Sequence, residues 1–293
     1  MGDLRFEAAT RHAVLRTNDT AGPGMDIAGL ADFGRPFEGN NTRRENHYQV
    51  TYVYARSAGN HLWKTGATIN RVRERVTAPD GFGGLYLLGS LNDFFAAQPD
   101  TYIQGFGNPA TDYDVTSFGG FAQDHWTALS HVTLDLGLRY DFEHLPPAFN
   151  QDTNNFSPRI GVAYSPGSHW VFRAGYGIFF DRYVLADLNR AIEMNGTQSF
   201  EQFVDGAAAA FIFQSSGGGR LLMPAPSIAP SIFRPDPRLA TSYSEQSSLG
   251  VQYLIAHNFD PECRLSFRAR PQALAHTQHQ SSDAHNPHAA ERR

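Results

Sequence analysis

The chain has 293 residues but only one cysteine, Cys263, and only one lysine, Lys64. A lone cysteine closes no internal disulfide, and it supports neither a zinc cluster nor a disulfide scaffold. The lysine scarcity, with every other basic residue an arginine, reads as the codon bias of a GC-rich genome. No run of about 20 apolar residues exists, so no helix can cross a bilayer; the longest apolar run, Ala207 to Phe213, is far too short. The first residues, Met1 to Phe6, show no basic region leading into an apolar core, so no secretory leader is expected there. A formal net charge of −5 argues against a nucleic-acid partner.

What the chain has is aromatics, at 13% of its residues, and a recurring two-residue rhythm. It is clearest at Val132, Leu134, Leu136, Leu138 and Tyr140, which alternate with Thr133, Asp135, Gly137, Arg139 and Asp141. A strand sends successive side chains to opposite faces, so this segment has one apolar and one polar face. Two environments accept such a strand: a half-buried soluble sheet, or a membrane barrel with lipid outside and water inside. The rhythm recurs at His47–Ala55, His61–Asn70, Arg159–Tyr164, Trp170–Ile178 and Ser248–Tyr253, and more weakly at Leu4–His12, Gly84–Leu88, Thr101–Gly105 and Thr116–Trp126. About ten strands are expected, each near the length of a tilted barrel strand.

The connections favour the barrel. Tight turns are predicted at Ser57–Asn60, Thr127–His131 and Ser165–Ser168, and long connections at Arg71–Gly83, Glu143–Ser157 and Asp181–Ser242. Sorting of loops by length characterises outer-membrane barrels, and loops this long are unusual inside compact soluble domains. Leu91–Ala97 and Val184–Met194 read as short helices decorating loops, and Ser215–Pro237 as irregular. Two domains result: residues 1–257 as a partial barrel, and 258–293 as a disordered, histidine-rich tail for which a reading-frame change is the preferred explanation.

Several segments resemble a known family. Phe121-Ala122-Gln123-Asp124-His125-Trp126, followed by Leu134 to Asp141, resembles the FxQDxW … LTLNLGLRYE hairpin of TonB-dependent outer-membrane receptors. Asn155–Tyr164, Arg173–Asp181, His61–Gly66 and Tyr243–Tyr253 are similar to further strands of the Oar-like branch. The resemblance implies an all-β, antiparallel, up-and-down transmembrane barrel with long extracellular loops and short helical pieces. It also implies a cell outer-membrane location and ligand uptake driven by an inner-membrane complex. In a full-length relative the partners are outer-membrane lipid, a plug domain, the TonB complex and an unknown ligand. The plug, the TonB box and about half of the strands implied by the family are not found here. The expectation is therefore a barrel fragment that is not transport-competent alone. The alternative is a soluble all-β module binding carbohydrate or another ligand.

Lys64, Asp135, Arg139, Asp141 and Arg173 are the candidates for a lumen-facing set, with generic lumen polarity as the plainer explanation. Trp126, Tyr140, Tyr164 and Trp170 are candidates for interfacial aromatic girdles. Asp124-His125 with Ser117 has hydrolase residue types, but adjacent strand residues face opposite ways, which argues against catalysis. His276, His279, His285 and His288 lack a rigid element to hold a metal. Gly217-Gly218-Gly219-Arg220 lacks the Lys-Ser/Thr of a phosphate loop. No cofactor, metal or enzymatic activity is expected.

Overall fold

The computed structural model describes residues 1–20 and 22–253, and the backbone of 262–269. In chain order, the first half contains β1 (Gly2–Leu15), β2 (Gly24–Ile27), β3 (Ala31–Gly34), β4 (Asn41–Ala58), β5 (His61–Thr77), β6 (Leu85–Leu88), α1 (Leu91–Phe95), β7 (Thr101–Gly107) and β8 (Ala110–Leu129). There follow β9 (Val132–His144), β10 (Phe156–Tyr164), β11 (Trp170–Phe180), α2 (Leu185–Glu193), β12 (Ser199–Asp205), α3 (Gly206–Ser216), β13 (Tyr243–Tyr253) and β14 (Glu262–Ala269). Nine of these strands form one sheet in the order β1-β4-β5-β8-β9-β10-β11-β13-β14, each pair antiparallel. The sheet is open: β1 and β14 are its edges among the described residues.

The short turns all lie at one end of this sheet. Gly59, at φ 58°, allows β4 to reverse into β5 through two residues, and Ser130-His131 joins β8 to β9. At the other end the chain makes long excursions between β1 and β4, β5 and β8, and β11 and β13. The outer-membrane-barrel strand pattern is therefore present, with three short turns at the expected places.

Register turns the sequence rhythm into two continuous faces. Phe6, Val50, Ile69, Phe118 and Phe142 form one row across five strands. Further along, Trp126, Leu134, Val162, Ala174 and Leu249 form another. The rows from Phe118 to Trp126 span eight residues, about 26 Å at a rise of ~3.3 Å each. Leu138 (50% exposed), Ile160 (52%) and Leu249 (58%) stand uncovered on this face. They are not tucked between two layers. The opposite face carries Gln49, Asn70, Ser117 and Glu143 as one of its rows.

Beyond the Phe118 row, towards the long loops, the polarity of the two faces exchanges. On β5 the outward residues become Arg71, Arg73 and Arg75, while Val72 and Val76 on the inner face are buried. On β8 the outward Asp112 and Asp114 back onto the buried Tyr113 and Val115. The cause is α2, which lies against the inner face here: Leu188 and Ala191 pack with Tyr113, Val115, Leu145 and Phe149. Alternation in this region therefore follows a protein core. Residues 71–77, read from sequence as the start of a loop, continue β5 for this reason, and β4 starts at Asn41, before the segment expected from sequence.

The loops build a second body that the sequence reading did not anticipate. Five strands pair in the order β12-β7-β6-β2-β3, all antiparallel except the β2–β6 contact, which is parallel. Gly84–Leu88 and Thr101–Gly105, expected among the barrel strands, belong to this sheet as β6 and β7. Its core gathers Ile27, Tyr86, Leu88, Tyr102 and Val204 beneath Ala209 and Ile212 of α3. The rings of Tyr86 and Tyr102 lie 4.4 Å apart. Gln202 Nε2 donates to the carbonyls of Ala225 (3.0 Å) and Ile228 (2.7 Å), tying the Gly/Pro-rich stretch to β12. The glycine run serves as a helix stop, with Gly217 at φ 63° ending α3.

The structure places a strand, β14, at 262–269, within the stretch read as an unordered tail. The four tail histidines His276, His279, His285 and His288 lie outside the described residues.

Candidate functional site

The five residues singled out as a polar set share one face of the large sheet, but they do not converge on one point. Arg139 and Asp141, two residues apart on β9, form a bidentate pair: Nε to Oδ2 at 2.6 Å and Nη2 to Oδ1 at 2.6 Å. The guanidinium lies over Gly119 of β8, where an added Cβ would run into it. Gly66 of β5 is covered in the same way by the ring of Phe121. These two glycines let long side chains lie flat along the polar wall. Asp135 lies four residues from Arg139 on the same strand and meets His125 Nδ1 at 2.6 Å. Arg173, two strands away on β11, donates from Nη2 to Gln252 at 3.3 Å. Lys64 is exposed and makes no ion pair among the described residues.

Above Arg139 and Asp141 the face narrows into a cleft of about 120 Å³, lined by Ser117, Glu143, Asn155, Asp181, Arg182 and Thr241 among others. Glu143 accepts from Tyr183 N at 3.0 Å and from Ser117 Oγ at 3.3 Å, so its carboxylate anchors the start of the β11–β13 excursion. Sequence reasoning missed Glu143, Ser117 and Arg159 as parts of this wall. Arg159 lies 4.4 Å from the centre of the Phe179 ring. The pairing Ser157↔Arg139 and Arg159↔Gly137 places it beside Arg139, information that depends on register and is absent from any single strand.

Trp126, Tyr140, Tyr164 and Trp170 all lie on the apolar face. Three stand near the short turns: Tyr164, Trp170 against Tyr253 at 4.4 Å, and Trp126 against His61 at 5.3 Å. Tyr140 is nearer the long-loop end, 4.9 Å from Phe156, and donates its hydroxyl to Thr153 O at 3.1 Å. The aromatic set is larger than expected. Phe118, Phe142, Phe180 and Tyr243 join it at the long-loop end, and Trp63 and Tyr253 at the other.

Two carboxylates break the pattern of this face: Glu245, opposite Ile178 of β11, and Asp124. Asp124 Oδ2 meets His61 Nδ1 at 2.6 Å, and the imidazole stacks between Trp63 (5.6 Å) and Trp126 (5.3 Å). The adjacent His125 points to the polar face and pairs with Asp135, as the strand period requires. Asp124 and His125 therefore serve opposite faces, and Ser117 is engaged with Glu143.

In the loop body the notable titratable group is Glu193, on α2. Burial, with Asp80 and Glu201 nearby, pushes its carboxyl up to about 8, against the opposing charge of Arg190. Burial also raises Glu201 and Asp80. Glu74, fully buried on the inner face of β5, is raised by burial and forms an ion pair with Arg43 Nε at 3.0 Å. Among the described residues no group of three or more His, Cys, Asp or Glu is arranged to hold a metal ion.

Comparison with known proteins agrees with this geometry. The family model described as outer membrane beta barrel domain matches residues 7–151 and 145–262. The TonB-dependent transporter Oar of Myxococcus xanthus is 28% identical over 179 residues, which cover 54% of this chain and 16% of Oar. Among solved structures, the outer membrane transporter YddB from Escherichia coli superposes with a TM-score of 0.56 at 13% identity, covering 91% of this chain and 32% of YddB. The siderophore receptor PirA from Acinetobacter baumannii gives a TM-score of 0.47 at 10% identity, over 86% of this chain and 30% of the receptor. The chain thus spans about a third or less of the length of these relatives, and the likeness to YddB is one of fold.

Proposed function

The chain belongs to the outer membrane beta barrel domain family, and from that premise we propose that its large sheet is one part of the wall of a ligand-uptake barrel in the outer membrane. The outward face meets lipid, the face bearing Arg139 and Asp141 lines the lumen, and the long-loop body stands outside the cell. The observation that carries this reading is the band of exposed apolar residues, about 26 Å along the strands and so about 20 Å in height at a strand tilt of about 40° before the flanking aromatic rows are added, edged by aromatics at both ends. A band about 25 Å tall with aromatic girdles is what a bilayer demands of a barrel. Burying each large apolar side chain in lipid contributes about 1.5–3 kcal/mol. In water the same band would be a large exposed patch of the kind that drives aggregation.

The open edges β1 and β14 support a second part of the reading. In lipid each unpaired backbone group costs several kcal/mol. The sheet therefore acts with further strands that pair its edges and does not transport by itself; the likeness to the TonB-dependent transporter Oar supports a plug and an energising TonB complex as its further partners. Fractionation tests the first part: the chain is expected in the membrane fraction, needing detergent to stay folded, and recovery as a cooperative folded monomer in plain buffer would contradict it. Liposomes holding the chain alone test the second part. No ligand-selective solute release is expected, and sustained selective release would contradict dependence on further strands.

A further inference from the structure

We propose that the outward face of the strand extension beyond the Ile69–Phe118–Phe142 row is a binding surface for the phosphate-bearing headgroup of an outer-leaflet lipid. The proposal rests on the reading of the large sheet as a lipid-facing wall. Register places three outward rows directly above the apolar band. Arg71 stands between Tyr48 and Thr116 in the first, Arg73 between Asn46 and Asp114 in the second, and His12, Arg44, Arg75 and Asp112 form the third. Successive outward rows are two residues apart, so the cations stand about 7 to 20 Å along the strands from the last apolar row. At a strand tilt of about 45° this is about 5 to 14 Å along the membrane normal, from the headgroup layer to the region just outside it.

The charge on these rows is unbalanced. Asp114 holds Arg71 at 3.1 Å, and Asp112 holds both Arg73 at 2.9 Å and Arg75 at 2.8 Å. Four arginines against two aspartates leave a net charge of +2 before His12 is counted. Arg44 makes no ion pair among the described residues. The side chains of Arg71, Arg73 and Arg75 are 58%, 43% and 51% exposed, so their aspartates orient them without covering them. A cleft of about 340 Å³ opens at the top of the patch, lined by His12, Arg44, Arg75 and Asp112 with Thr42 and Thr77. The loop body does not use these arginines: Arg71, Arg73 and Arg75 pair with the β8 aspartates on the outward face, while α2 packs against Tyr113 and Val115 on the inner face of β8.

Guanidinium groups bind phosphate oxygens in a bidentate fork, and a row of them next to a membrane attracts anionic headgroups. The two aspartates hold three of the guanidiniums in place, and the excess positive charge is left for a ligand carrying more than one phosphate. A phosphorylated glycolipid anchored in the outer leaflet presents such a group at this height while its acyl chains lie along the band below.

The test uses the full chain purified in detergent, with native mass spectrometry of retained lipid. Diphosphorylated lipid A is expected to be retained about tenfold better than the dephosphorylated form, and R44Q/R75Q is expected to remove about that factor. R56Q removes an outward arginine at the opposite end of β4 and is expected to change nothing. Millimolar inorganic phosphate is expected to leave the lipid bound. Heat-modifiable gel migration reports folding of each variant. Equal retention of the two glycolipids by a folded chain would overturn the proposal, as would release by inorganic phosphate or an equal effect of R56Q. A wild-type chain that stays folded and monomeric without detergent would instead overturn the barrel reading beneath it.

Discussion

The nine-stranded sheet and the five-stranded loop sheet use the same backbone ladder and dispose of their apolar side chains in opposite ways. In the smaller sheet Tyr86 and Tyr102 are 0% exposed and Leu88 is 2% exposed, enclosed by α3. In the larger one Leu138 is 50% exposed, with no protein layer above it. The smaller sheet keeps the ordinary arrangement of a protein core, whereas the larger one has its apolar layer on the outside. The transition occurs within single strands: β5 faces Ile69 outward and, a few residues on, buries Val72 and Val76 inward. One strand thus crosses from one solvent regime to another, and the exchange of phase marks the boundary.

Four predictions would break or sharpen this contrast. The largest effect is expected for Leu88→Ala, which empties part of the enclosed core at a cost of about 2–5 kcal/mol. Protease cleavage within 199–228 should rise sharply while the large sheet keeps its heat-modifiable migration; loss of both together would mean the regions fold as one. Next is Leu138→Arg, in the middle of the apolar band, expected to cost about 2–4 kcal/mol in lipid. Gln123→Arg, on the opposite face next to Gly137, should change stability by no more than about 0.5 kcal/mol. Equal costs in an unfolding titration from lipid would erase the distinction between the faces.

A third prediction concerns pH and is confined to the loop body. The Glu193 carboxyl is raised from an ordinary 4.5 to about 8 in the folded chain. Between these values the unfolded chain has released the proton and the folded one keeps it, so stability falls as pH rises, by up to about 1.4 kcal/mol per unit. Glu193→Gln should flatten this slope, leaving the contributions of Asp80 and Glu201 beside it. An unchanged slope in protease-resistance curves from pH 5 to 8 would contradict the buried placement of Glu193. The smallest effect is expected for the Arg139–Asp141 pair, whose side chains are 29% and 28% exposed and whose coupling in a double-mutant cycle should be about 0.2–1 kcal/mol.

The barrel strands were legible in the sequence wherever one face met lipid and the other met water. Val132 to Asp141 alternates without interruption because both environments are uniform along its length. The upper part of β5 was not legible. Arg71, Arg73 and Arg75 look like a solvated loop until Val72 and Val76 are seen buried on the inner face, beside the β8 residues against which α2 packs. The loop sheet was only partly legible: Gly84–Leu88 and Thr101–Gly105 read as strands but were assigned to the barrel. Leu85-Tyr86-Leu87-Leu88 has apolar residues on both faces, so its alternation is weak and does not say which sheet it joins, and its parallel partner β2 lies far away in sequence. Of the candidate polar residues, the face of each could be read from period two, but the pairing of Asp135 with His125 and the approach of Arg159 to Arg139 depend on register. Asp124 on the apolar face broke the binary pattern, and only its meeting with His61 explains how a carboxylate is accommodated there.

The outward orientation of the apolar band can be measured directly. With Cys263 replaced by serine, single cysteines at positions 134 to 138 would carry a nitroxide label in bilayers, and collision rates with oxygen and with a water-soluble nickel complex would be compared. Positions 134, 136 and 138 should favour oxygen and positions 135 and 137 nickel, in strict alternation; a reversed or flat profile would contradict a lipid-facing exterior.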